Sequence, residues 1–90
     1  MQKGKIAMIN LIRLADQTTG HGKVIAASSV MRFDGRAVAR KGDAVTCRKH
    51  PDVRSNVIIE GDESMTDNGV PIALHDHQVK CGCRLISSLV

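Results

Sequence analysis

Aromatic residues are almost absent from this chain, which has one phenylalanine, Phe33, and no tryptophan or tyrosine in 90 residues. A core without them is built from Val, Ile, Leu, Met and Ala, and forgoes the large burial that each ring brings. The same lack argues against a single-strand nucleic-acid binder, which stacks bases on aromatic rings. Long apolar runs are also missing, so nothing approaches a membrane span. The stretch from Ile6 to Leu14 is interrupted by Asn10 and Arg13 and leads to no small-residue cleavage site, so no signal peptide is expected. Cysteine occurs in an odd number, three, which cannot close a disulfide framework. Cys81 and Cys83 are too near each other in sequence to bridge without strain. No Ser nucleophile elbow and no phosphate-cradling Gly-rich loop is present, and no catalytic residue is expected.

What remains is a short chain with a narrow margin. Ninety residues make one domain that buries only about two-thirds of the surface exposed when unfolded. Domains of this size usually recruit a disulfide framework, a structural metal or partner chains. In a reducing cytoplasm the cysteines are available to metal, and four histidines accompany them. Net charge is +4, and eleven of the thirteen basic residues precede Ser55. Such asymmetry fits either a solvated surface or a nucleic-acid face.

The strongest organising signal is a repeat. Asp34-Gly-Arg-Ala-Val-Ala-Arg-Lys-Gly-Asp-Ala-Val-Thr-Cys47 recurs 34 residues later as Asn68-Gly-Val-Pro-Ile-Ala-Leu-His-Asp-His-Gln-Val-Lys-Cys81. At that offset Val24 and Ile25 fall on Ile58 and Ile59, Met31 on Met65 and Val45 on Val79. One small unit has been used more than once, and its copies bury their apolar faces together. Eight scattered glycines leave little room for helix. Lys23 to Ala27 and Asn56 to Glu60 read as strands, and Asp34-Gly35 and Asn68-Gly69 read as hairpin turns. The tail from Arg84 echoes Lys23-Val24-Ile25 and suggests a third, truncated strand. Met1 to Leu14 fits a strand or a helical turn.

Four groups of candidate ligands are spread along the chain: His21, Cys47-x-x-His50, His75-x-His77 and Cys81-x-Cys83. Zinc takes four nitrogen or sulfur ligands, and four from protein make a closed structural site. His77 stands where the other copy has Asp43, so the second copy has been specialised. Asp16, Asp34, Asp43 and Asp67 sit near glycines and read as turn formers.

Asp16-x-Thr-Thr-Gly-His21-Gly22, then Ala37-Val38-Ala39-Arg40-x-Gly42-Asp43 leading to Cys47-x-x-His50, then Pro71-Ile72-Ala73-Leu74-His75-Asp76-His77 leading to Cys81, resembles the PAAR-repeat family over nearly the whole chain. The resemblance implies an all-β fold, a small cone or pyramid of short β-hairpins on an internal repeat, stapled by one zinc ion. Because the chain ends at Val90, soon after the family pattern, a single domain over 1–90 is expected, with no fused effector domain. Carried over by position, the implied ligands are His21, His50, His77 and Cys81, with His75 a substitute for His77 and Cys47 or Cys83 for Cys81. The implied role is non-enzymatic: a tip that caps and sharpens the trimeric spike of a type VI secretion system, aiding membrane piercing and effector delivery. Its partners would be the spike protein, effectors and, transiently, the target membrane. Such a tip is assembled in the bacterial cytoplasm and secreted by the machine itself. The contrasting reading is a small zinc-stabilised nucleic-acid-binding module, whose affinity would fall steeply with salt.

Overall fold

A computed structural model describes residues 10–89, which form six short strands and no helix. These are β1 (Gln17–Thr18), β2 (Arg32–Phe33), β3 (Arg36–Ala37), β4 (Asp62–Asp67), β5 (Val70–Ile72) and β6 (Leu85–Ile86). Ile6, Met8 and Ile9, for which strand and helical turn stood open, lie outside the described residues. Both expected hairpins are present, as antiparallel β2–β3 and β4–β5. Their turns carry positive φ at both central positions, 54° and 86° at Asp34 and Gly35, and 54° and 83° at Asn68 and Gly69. That pair of left-handed residues is what a two-residue type I′ turn demands.

The two short strands expected over 23–27 and 56–60 are instead isolated β-bridges, Lys23 to Gln17 and Val24 to Val45 in the first stretch, Val57 to Ala44 and Ile58 to Val79 in the second. The cause is a change of partner at each step. Val24 donates its N–H to the Asp16 carbonyl at 2.8 Å, while the next residue, Ile25, donates to Ala44 at 2.9 Å. Ile58 and Ile59 do the same with Asp43 and Gln78. A ladder that switches neighbours after one residue cannot lengthen into a strand.

This switching builds three equivalent arms, 11–25, 38–59 and 72–86, around a common axis. At their centre the backbone closes a ring. Ile12 N–H donates to Ala73 O at 3.1 Å, Ala73 to Ala39 at 3.0 Å, and Ala39 back to Ile12 at 2.8 Å. All three residues are fully buried. Four positions further on, each arm turns sharply at Asp16, Asp43 or His77. Each of these backbone N–H groups donates to the carbonyl three residues back, on Arg13, Arg40 or Leu74. Their side chains accept the reciprocal N–H, at 2.8, 2.8 and 3.0 Å. The imidazole Nδ1 of His77 thus does the work of the two carboxylates. The residue before each turn has positive φ: Ala15, Gly42 and Asp76.

Side chains stack in triplets along the axis. Leu11, Val38 and Ile72 form one layer with Met31, Phe33, Met65 and Leu74 packed around it. Ile12, Ala39 and Ala73 make the next, followed by Val24, Ile58 and Leu85 and then Val45 and Val79. Thr18 takes the third place beside Val45 and Val79, and its hydroxyl accepts N–H bonds from Gly20 and Gly22 at 3.3 and 3.1 Å. The echo of Lys23-Val24-Ile25 in the tail is real: Leu85 bonds to His77 as Val24 does to Asp16, and Ile86 pairs with Gln17 in the sheet of β1 and β6.

Candidate metal centre

Each arm ends in a chain reversal, and the three reversals converge. Thr18 N–H bonds to Gly22 O, Val45 to Asn56 O and Val79 to Cys83 O, which sets the three loops in register. Gly20, Cys47 and Cys81 therefore occupy equivalent positions. The first and third loops are tight, whereas the second is longer and folds back on itself through His50 N–H to Cys47 O and Val53 N–H to His50 O. That detour brings the His50 ring to the cysteines.

Cys47, His50, Cys81 and Cys83 place one ligand atom each within 4.8 Å of one another. Cys47 Sγ lies 3.2 Å from Cys83 Sγ and 3.4 Å from His50 Nδ1, and Cys83 Sγ lies 3.5 Å from the same nitrogen. Ligands about 2.0–2.3 Å from a tetrahedral zinc stand roughly 3.4–3.8 Å apart, so the spacing fits one ion at the centre. All three thiols are free, Cys47 and Cys83 are buried, and Cys81 and His50 are half-buried.

The surroundings are shaped for sulfur. A Cβ on Gly20 would stand 2.3 Å from Cys47 Sγ and 2.5 Å from Cys83 Sγ, so only a glycine leaves them room. Asn56 clasps Cys81, donating from Nδ2 to its sulfur at 3.4 Å and accepting its N–H on Oδ1 at 3.1 Å. Burial alone would push the Cys81 thiol up, but hydrogen bonds from the Cys83 backbone, Asn56 and Cys47 together outweigh it and bring the value down to about 7. Burial pushes Cys83 the other way, to about 11, with the Cys47 and Cys81 thiols adding to the rise. In chelator-treated protein near neutral pH, Cys81 should therefore be the first cysteine alkylated by iodoacetamide, because the thiolate is the nucleophile. Peptide mass spectrometry after brief labelling reads the order, and Asn56→Ala should slow the Cys81 reaction.

Two of the four ligands implied by the resemblance, His50 and Cys81, belong to this group, and His21 and His77 lie outside it. His21 is exposed, at φ 63°, in the first reversal. His77 and His75 each use Nδ1 to accept a backbone N–H, from Leu74 and Ser87 respectively, both at 3.0 Å. Cys47 and Cys83 complete the set. The local signal for them was the pair of short chelate spacings, Cys-x-x-His and Cys-x-Cys, which between them supply all four atoms.

The carboxylates serve structure. Asp16 and Asp43 cap their turns, Asp34 sits inside one, and buried Asp67 accepts the Ser28 hydroxyl at 2.5 Å and pairs with Arg40 at 3.4 Å. No curated protein matches the chain. A family described as PAAR motif does match, over residues 14–87, from the turn of the first arm to the end of the third. The second and third arms, most of the first, the two Asx-Gly hairpins and the Cys/His cluster fall within that span, and the chain belongs to the PAAR motif family.

Proposed function

We propose that this chain is the non-enzymatic tip of a type VI secretion spike, seated on the trimeric spike protein with its metal centre leading. One observation carries the reading: a single chain reproduces threefold symmetry, down to a closed ring of backbone bonds among Ile12, Ala39 and Ala73. A cap with three equivalent arms can offer each of three identical chains the same contact. The end that would meet them is the one opposite the reversals, where Leu11, Val38 and Ile72 lie beneath Met31, Phe33 and Met65.

At the other end Cys47, His50, Cys81 and Cys83 would hold a zinc ion. Bound there, zinc supplies a closed four-ligand cross-link and folding free energy that a core without tryptophan or tyrosine lacks. The cysteines and histidine tie the second arm to the third, and Gly20 lets the first arm press against the sulfurs. Family membership supports delivery by the secretion machine rather than by a cleaved signal.

Mixing the purified chain with a trimeric spike protein and measuring mass across a size-exclusion peak tests the role. One cap per trimer is expected, and separate elution at micromolar concentrations would remove the reading.

A further inference from the structure

The positive charge that precedes Ser55 in sequence is redistributed by the fold. Lys23, Arg48, Lys49, Arg54, Lys80 and Arg84 all flank the converging reversals, and all six are exposed. Arg48 and Lys49 stand between two members of the Cys/His group, while Lys80 and Arg84 adjoin Cys81 and Cys83. Among the described residues, every ion pair lies elsewhere, on Asp16, Asp43 or Asp67. The side-chain bonds these six make go to carbonyls, from Lys80 to Arg54 O and from Arg84 to Asp76 O. Asp52 is the one carboxylate in the reversals. Three thiolates and an imidazole around a divalent ion add one further negative charge, which still leaves a clear positive excess.

Behind this collar the threefold repeat sets a second feature. Ile25, Ile59 and Ile86 are equivalent residues, one on each arm, and they are 56%, 42% and 38% exposed. Lys23 and Arg84 lie two residues before Ile25 and Ile86, on the same side of an extended backbone, with Val24 and Leu85 turned inward between them. Each of these flanks thus presents a cation followed by an exposed isoleucine.

We propose that the metal-bearing end is a docking surface for an anionic lipid leaflet, with the six cations meeting headgroup phosphates and the three isoleucines reaching the interface behind them. Side-chain chemistry favours this occupant over nucleic acid. Exposed isoleucines stand behind the cations, and no aromatic ring stands among them for a base to stack on. A leaflet rewards the pairing of basic with apolar side chains. The inference deepens the tip reading and rests on it for biological direction, while the binding itself belongs to the isolated chain.

Co-sedimentation of the metal-loaded chain with phosphatidylcholine vesicles, with and without one-third phosphatidylglycerol, tests it. Binding is expected only with the anionic lipid, and raised salt should weaken it. Each basic side chain at such a surface is worth about fivefold, so Arg48→Gln/Lys49→Gln should bind about thirtyfold more weakly. Arg32→Gln/Lys41→Gln removes the same charge away from the reversals and should stay within about twofold of the parent. The salt-resistant remainder should vanish in Ile25→Ser/Ile59→Ser/Ile86→Ser. Equal loss in the two double variants, equal binding to neutral vesicles, or tighter binding of a single-stranded oligonucleotide through Arg48 and Lys49 would each overturn the proposal. Metal content, measured on every variant, confirms an intact centre. Capping of the spike trimer is read separately, so a chain that caps yet ignores anionic vesicles defeats this inference alone.

Discussion

Cys83→Ala should lose its metal and, with it, most of its folding stability. Cys83 is 6% exposed, and its sulfur touches both Cys47 and His50, so no water-filled gap is at hand to replace it. Metal bound to a structural Cys/His site contributes apparent free energies of about 10–16 kcal/mol in small peptides. The whole fold of a domain this size is worth about 5–10 kcal/mol. Removing one ligand of four therefore reaches the scale of the total. The expected result is a fall of well over 15 °C in the melting temperature, since about 1 kcal/mol moves a domain of this length by 4–8 °C. Chelator-treated parent protein should melt where the variant does. Elemental mass spectrometry should find one zinc per chain in the parent, none in Cys47→Ala or Cys83→Ala, and an unchanged content in His21→Ala and His77→Ala. Metal retained by Cys83→Ala, or lost by His21→Ala, would move the site to the ligand set that the resemblance implies.

A single methyl group at Gly22 should be as damaging, and for a different reason. A Cβ there would stand 1.8 Å from Thr46 O, 2.4 Å from Thr46 C and 2.8 Å from Cys47 Cα. These are backbone atoms of the second arm, held by Thr46 N–H to Lys23 O, and they have no rotamer into which to retreat. Gly22→Ala must push two arms apart, breaking the bonds that align them, and should cost more than about 4 kcal/mol, beyond the ordinary range for a point change. Gly20→Ala makes the informative contrast. Its Cβ clashes with the sulfurs of Cys47 and Cys83 and otherwise meets Lys49 Cβ at an ordinary 3.5 Å. With chelator present it should melt close to the parent, whereas in the presence of zinc it should fail to gain the parent's extra stability. Gly22→Ala should be destabilised with and without metal. Melts of both variants in the two conditions separate an effect on the arms from an effect on the ion; similar behaviour of the two would contradict the geometry.

Much of the fold was legible because two copies share one spacing. Ala39 and Ala73 lie 34 residues apart, as do Val24 and Ile58. The first arm stayed hidden because Ile12 precedes Ala39 by only 27 residues. The difference of seven is the extra length of the second reversal, from Val45 to Asn56 against Thr18 to Gly22, and that insertion is what carries His50. The Asx-Gly turns were readable from local chemistry alone, since both residues accept positive φ. The lengths of the strands at 23–27 and 56–60 were not, because β-branched runs report a preference for extended backbone and say nothing of how often the partner changes. At the site, local spacing offered Cys47-x-x-His50 and Cys81-x-Cys83 alongside His21 and His75-x-His77, and singled out Cys-x-x-His and the His77-x-x-x-Cys81 step without choosing one set of four. Family position pointed to His21 and His77, the second of which stands where the other two arms use a carboxylate to hold their own turn.

The ring of Ile12, Ala39 and Ala73 bears on how such a body carries load. A hairpin pulled from one end opens rung by rung, each bond failing after its neighbour. In a closed triangle every arm is at once donor to one neighbour and acceptor from the other, so no arm is terminal and none can peel first. A thrust along the axis is shared by three bonds in parallel, with the packed triplets above and below keeping water from competing for them. Yielding must then be concerted, and a body of this size stays stiff up to the force at which it fails all at once.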